Sequence, residues 1–332
     1  MREIAAIPGV VVKQVSYRRI AGSCRGALVP LLSLRTVDDV FLDLGEWSRI
    51  TRHRSVLARL RDICCRLDLQ AAAATCGGLR TVAQLPAFSV TVNFVGKRNY
   101  CTVEIKQACA EGIMTNLGWC YTDDDALADL NVRLFIAHET VFIGVRLGQK
   151  PLQQRTSKWV HLAGALKPPI AAAMLQLVKV LPGQKVLDPC CGTGTILVEA
   201  AKCQAIAEGG DARRTAVEVA RLNTKTANVA ACVEQWDARA LPLPDDCIDR
   251  VVTNLPWGRQ VRVDGDLASF YRGVCAELHR VLSSAGRIAL LTNVPHLVKF
   301  EDWHCDNLVE ISLFGQRPTI LTFTSTRYKR RM

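Results

Sequence analysis

One short run constrains the fold more than any other: Lys185-Val-Leu-Asp-Pro-Cys-Cys-Gly-Thr-Gly-Thr-Ile-Leu-Val-Glu199. It reads as a β-strand, a glycine turn and the first turns of a helix, the unit from which parallel α/β sheets are built. About sixty residues later stands Asn254-Leu-Pro-Trp257. Around these two motifs residues 167 to 327 alternate strand-like and helix-like segments. Strands are expected at 185–187, 206–210, 232–235, 248–253 and 286–292, the last following the Ser-Ser-Ala-Gly stop, and helices at 194–203, 213–228 and 267–282. Two β-rich runs close the series, 308–314 and 320–324, separated by only Gly315-Gln-Arg-Pro318. So short a connection demands an antiparallel pair. A parallel sheet that ends in an antiparallel hairpin is the outline of a class I methyltransferase rather than of a dehydrogenase domain.

The N-terminal half is less regular. Residues 38–47 read as a strand, 55–69 as an amphipathic helix, and 71–78 as a loose connection. Phe88-Ser-Val-Thr-Val-Asn-Phe94 alternates as a half-buried strand does. The basic turn Gly96-Lys-Arg-Asn99 follows, then a helix at 103–117 and two strands at 131–147 that reverse at His138-Glu-Thr140. Residues 148–167 form a polar, basic linker ending at Lys167-Pro-Pro169, a domain boundary.

At 332 residues the chain suits two domains. No apolar run reaches the roughly eighteen residues of a membrane span, and the first residues lack the apolar core and small-residue cleavage site of a secretory signal. A cytoplasmic protein is expected. The fourteen cysteines are scattered, without Cys-x-x-Cys or Cys/His ligand spacing, which reads as buried reduced thiols and no metal site. The net charge of +11 is unevenly spread, with 22 Lys/Arg against 14 Asp/Glu in residues 1–168 and 20 against 17 in the remainder. A basic half beside a catalytic half suggests that the first grips a polyanion while the second does chemistry.

The two motifs define that chemistry. Gly192 and Gly194 allow close approach of backbone to ligand, but Cys190 occupies the place of the first glycine of Gly-x-Gly-x-x-Gly, which disfavours pyrophosphate. A small zwitterion such as the methionine part of S-adenosylmethionine is more plausible, with Asp188 organising the turn and approaching the ligand's amino group. Asp211, about twenty residues on, stands where a ribose diol needs an acceptor, or serves only as a helix cap. Asp237 offers an acceptor to an adenine amine, whereas the neighbouring Trp236 fills core. The Asn254 oxygen and the Leu255 carbonyl can accept both N–H bonds of an exocyclic base amine, Pro256 stiffens the loop, and Trp257 can stack on the base. Catalysis is then orientation and electrostatics, with no strong general base. No cysteine lies near this loop to act as a nucleophile for pyrimidine C5 methylation.

Asp188-Pro-Cys-Cys-Gly-Thr-Gly-Thr195 and Asn254-Leu-Pro-Trp-Gly258 resemble the cofactor and catalytic motifs of the THUMP-domain RNA guanine-N2 methyltransferases. Residues 88–99, the helix from Val103, the 131–147 hairpin and Gln153-Gln-Arg-Thr156 before His161-Leu-Ala-Gly-Ala-Leu-Lys-Pro168 are similar too. The resemblance spans roughly residues 30 to 325. It implies an abridged ferredoxin-like region at 1–85, a THUMP domain at 86–150, a linker at 151–168 and a class I methyltransferase domain at 169–327. It implies S-adenosylmethionine as cofactor, tRNA or another structured RNA as partner, and N2-methylguanosine in the acceptor stem as product, from a guanine extruded into the pocket. Lys167 and Pro168 would belong to a segment closing over the cofactor, and Lys97, Arg98 and Arg155 would contact RNA. Trp257 replaces the family's more usual Tyr or Phe. Two alternatives stand: an amino methyltransferase acting on another RNA or on adenine N6, and a non-catalytic RNA-binding protein retaining the fold. Nothing in the sequence specifies a small activating subunit.

Overall fold

A computed structural model describes residues 2–16, 18–155, 160–258, 263, 265–313 and 315–325, and the chain divides into two units, Met1–Gln154 and Arg155–Met332. In the first unit a short helix α1 (Arg2–Ala5) precedes an antiparallel ribbon of β1 (Val10–Ser16) and β2 (Arg19–Cys24). The rest is α+β: β3 (Phe41–Trp47), α2 (Val56–Cys65), α3 (Leu69–Gly77), β4 (Ala87–Phe94), α4 (Thr102–Leu117), β5 (Cys120–Tyr121), β6 (Leu130–Ala137) and β7 (Thr140–Arg146). The strands form one sheet in the order β3-β7-β6-β4-β5. The β6–β7 reversal falls where expected, with His138 in the left-handed region at φ 53°. The expected loose connection at 71–78 is instead the body of α3. Asp68 caps it by accepting from the Ala71 N–H at 3.0 Å, and the alanine run carries the highest helix propensity available.

The second unit opens with α5 (Pro168–Leu177). Its two prolines do more than mark a boundary: they occupy the first helical positions, where a missing N–H costs nothing. Next come β8 (Lys185–Asp188), α6 (Thr195–Ala201), β9 (Ile206–Asp211), α7 (Arg214–Thr226), β10 (Ala231–Gln235), β11 (Ile248–Asn254), α8 (Leu267–Val281), β12 (Leu282–Thr292), β13 (Trp303–Glu310) and β14 (Thr319–Ser325). They build a seven-stranded sheet in the order β10-β9-β8-β11-β12-β14-β13. The first five strands run parallel, and β14 is antiparallel to both its neighbours. Two expected boundaries shift. β12 begins at Leu282, before the Ser-Ser-Ala-Gly stretch, and β13 spans 303–310 rather than 308–314, of which Phe314 lies outside the described residues.

Chain order sets the site. From β8 the strands progress outward through β9 to β10, then the chain returns to place β11 on the other side of β8. Adjacent connections therefore leave in opposite directions and open a crevice at the carboxyl ends of β8 and β11, where open α/β sheets hold ligands. Those ends are Asp188 and Asn254. Among the described residues no helix is long and apolar enough to cross a membrane.

Candidate active site

The glycine turn forms one wall of the crevice. Gly192 and Gly194 both have positive φ, 52° and 78°, a conformation closed at low cost to side-chain-bearing residues. A Cβ on Gly194 would press on Ala220 at 3.1 Å, whereas one on Gly192 would meet no atom within 4 Å. Gly192 thus leaves an open cradle lined with backbone. The turn is tied down from β9: the Cys191 N–H donates to the Gly210 carbonyl at 2.8 Å, and the Gly192 N–H to Asp211 Oδ2 at 3.1 Å. The opposite oxygen of Asp211 accepts from the Arg213 backbone N–H and its guanidinium Nε at 3.0 and 3.1 Å. A ribose diol reaching this carboxylate would have to displace the Arg213 side chain.

Asp188 lies beneath the turn, 1% exposed, with Oδ1 accepting from the Cys190 N–H at 3.3 Å. Burial, reinforced by the charge of Asp211 and opposed by the Cys190 N–H, pushes its carboxyl up to about 7. The thiols of Cys190 and Cys191 are raised well above their ordinary value by burial first and then by Asp188. They stay protonated and unsuited to nucleophilic attack.

Asn254, Leu255, Pro256 and Trp257 form the facing wall. Asn254 Nδ2 donates to the Gly164 carbonyl at 3.4 Å, which sets the carboxamide's orientation. Among the described residues its buried Oδ1 has no donor, and the buried Trp257 Nε1 has no acceptor. Such orphans are costly in a folded protein and cluster where a ligand completes the set. A residue that sequence reasoning missed steadies this loop. Fully buried Tyr271 on α8 donates to the Pro256 carbonyl at 3.0 Å and shares a 2.6 Å hydrogen bond with Thr292 Oγ1. Tyr271→Phe strips the Pro256 carbonyl of its partner. It is expected to lower stability by about 1–2 kcal/mol and to speed hydrogen exchange in the Asn254–Trp257 loop. Denaturant melts beside hydrogen exchange would check it, and unaltered exchange would show that the loop holds itself.

Other expected site residues fall elsewhere. Asp237 pairs with Arg239 at 2.6 Å and does not line the cleft. Trp236 is core, its indole N–H donating to the Pro189 carbonyl at 3.2 Å. The strap over the cleft is Leu162–Leu166, and neither Lys167 nor Pro168 reaches it. Leu313 and Gln316, from the β13–β14 connection, also line it. Lys97 is exposed on the turn after β4. Arg98, by contrast, spends its guanidinium on the Ile50 and Thr51 carbonyls and the Tyr100 hydroxyl at 3.1, 3.2 and 2.9 Å. Arg155 is almost buried against Glu199, with Nε to Oε1 at 3.1 Å. Of the expected linker, residues 156–159 lie outside the described residues.

Residues 155–309 match the family model of the RMKL-like methyltransferase domain. The crystal structure of TrmN from Thermus thermophilus superposes with a TM-score of 0.69 at 24% identity, covering 91% of this chain and 88% of that one. The second unit has the class I methyltransferase fold. The chain is also 30% identical over 222 residues to the tRNA (guanine(6)-N2)-methyltransferase of Thermus thermophilus, a match covering 64% of each. With the U6 snRNA (guanine-N(2))-methyltransferase THUMPD2 of Bos taurus it shares 30% identity over 199 residues, 58% of this chain and 38% of that one. The chain thus spans less than two thirds of the length of these relatives.

Proposed function

We propose that the chain is an S-adenosylmethionine-dependent methyltransferase that forms N2-methylguanosine in a structured RNA, with the tRNA acceptor stem as its target. The observation that carries this reading is the buried Asn254 Oδ1 at the end of β11, which has no partner among the described residues and lines the same crevice as Asp188 and Gly192. When bound, S-adenosylmethionine supplies an electrophilic methyl group. The open backbone at Gly192 and the Asp188 and Asp211 carboxylates fit such a zwitterionic nucleoside, and Cys190 and Gly194 complete the turn that would hold it. Asp237, Lys167 and Pro168 have no part in this set.

A guanine N2 is a poor nucleophile because its lone pair is delocalised into the ring. Asn254 Oδ1 and the Leu255 carbonyl would accept its two N–H bonds and favour the pyramidal nitrogen that reacts. Trp257 would stack on the base, and Tyr271, through the Pro256 carbonyl, keeps these acceptors in place. The first unit is read as a ferredoxin-like region over 1–85 and a THUMP domain over 86–150 that holds the RNA, followed by the linker 151–168 and the methyltransferase domain 169–327. Lys97 stays in this reading as an RNA contact, whereas Arg98 and Arg155 are structural. The guanine-N2 activities named for the two relatives support the choice of base.

The test is nucleoside mass spectrometry of tRNA and of total small RNA from cells with and without the gene. Loss of N2-methylguanosine from the tRNA pool is expected. Loss of N6-methyladenosine would move the acceptor to adenine, and an unchanged nucleoside profile with no S-adenosylhomocysteine binding would leave an RNA-binding protein that merely retains the fold.

A further inference from the structure

Asn223 sits on α7, well away in sequence from both motifs, and is fully buried. Its carboxamide makes three hydrogen bonds, all to backbone. Nδ2 donates to the Thr193 carbonyl at 2.9 Å and to the Val160 carbonyl at 3.0 Å, and Oδ1 accepts from the Val160 N–H at 3.0 Å. Thr193 lies between the two glycines of the turn. Val160 begins the segment that continues into the strap Leu162–Leu166.

The strap in turn reaches the other motif. It folds back on itself, the Ala165 N–H donating to the Leu162 carbonyl at 3.1 Å, and so presents the Gly164 carbonyl that accepts from Asn254 Nδ2. A chain of hydrogen bonds joined by short stretches of backbone therefore runs from the glycine turn through Asn223 and the strap to the amide that would receive the base amine.

We propose that Asn223 is a positioning residue: it locks the strap to the glycine turn and thereby sets both the cofactor cleft and the orientation of the Asn254 carboxamide. A side-chain amide suits this post because it donates and accepts at once and so mimics a strand partner for Val160 while still holding Thr193. The buried Thr193 carbonyl and the half-buried Val160 backbone groups lose their partner together if the amide is removed.

The inference rests on the reading of the cleft as an S-adenosylmethionine site, so the experiment separates the two. In the full-length protein, S-adenosylhomocysteine binding by titration calorimetry is compared for wild type, Asn223→Ala and Val274→Ala, a truncation on α8 in a different core cluster from the strap residue Leu166. Hydrogen exchange is followed over residues 160–167 and 185–188. Asn223→Ala is expected to weaken binding by about tenfold, to lower kcat as well, and to speed exchange in 160–167 while leaving 185–188 protected. Val274→Ala, at a temperature giving the same distance below its own melting point, is expected to bind as wild type does. No binding by wild type would overturn the cofactor reading. Wild-type binding with unchanged affinity and exchange in Asn223→Ala, or an equal loss in Val274→Ala, would overturn the positioning role. Should Asn223→Ala not fold, Asn223→Asp, which keeps an acceptor for the Val160 N–H but gives up the donor to the Val160 and Thr193 carbonyls, is expected to speed exchange in 160–167 and weaken binding; unchanged values there would sink the proposal.

Discussion

Asn254→Ala is expected to lower the single-turnover rate of RNA methylation by about 10²–10³-fold, the effect of deleting one preorganised group that stabilises developing charge, while leaving S-adenosylhomocysteine affinity and RNA affinity close to wild type. The reason is that Asn254 Oδ1 has no partner among the described residues. The fold draws only on the long 3.4 Å Nδ2 bond to the Gly164 carbonyl, so losing the side chain costs little stability, and the work of Oδ1 is done on what enters the cleft. Asn254→Asp sharpens the test. It keeps an acceptor oxygen but gives up the Nδ2 bond to the Gly164 carbonyl, so it is expected to retain part of the activity with looser orientation. Full activity in Asn254→Ala would remove the amine-orienting role, and a large loss of cofactor affinity would recast Asn254 as part of the cofactor cradle.

The contrast between Asn254 and Tyr271 shows what could be read from the chain alone. Asn254-Leu-Pro-Trp257 and the glycine turn are contiguous, and their chemistry depends on backbone shape that a few neighbouring residues dictate. Both are legible at once, and so is the alternation of strands and helices that carries them. Tyr271 and Asn223 act through contacts to segments 15 to 63 residues away, and no local pattern announces that a tyrosine hydroxyl will find the Pro256 carbonyl. The same blindness applies to charge. Arg155 reads as a cation for RNA until Glu199, 44 residues distant, is found buried beside it. Periodicity misled in another way at β13. It is an edge strand with every residue after Trp303 exposed, so no alternation marks it, and the apolar residues from Leu308 onward draw the eye past its true end.

Asp188 carries the second large effect, and its sign follows from burial. In the protein without ligand its carboxyl is raised from 3.8 to about 7, burial being the main cause. The native state therefore holds this proton more tightly than the unfolded chain, and stability falls as pH rises from near 4 through 7, by up to about 4 kcal/mol for a shift of this size. Ligand binding runs the other way. If only the ionised carboxylate receives the cofactor's ammonium group, affinity for S-adenosylhomocysteine is expected to rise about tenfold between pH 6 and pH 8, the change in the ionised fraction of a group that titrates near 7, with a proton released on binding at pH 6. Calorimetry in two buffers of different ionisation enthalpy would count that proton. Asp188→Asn is expected to flatten this part of the stability profile, to melt above wild type at pH 8, and to bind the ligand weakly at every pH, a gain in stability at the expense of function that is common where a site stores an unfavourable charge. Binding independent of pH in the wild type would mean that ligand binding is not linked to titration of the carboxyl between pH 6 and pH 8, which would sink the proposed ionisation on binding.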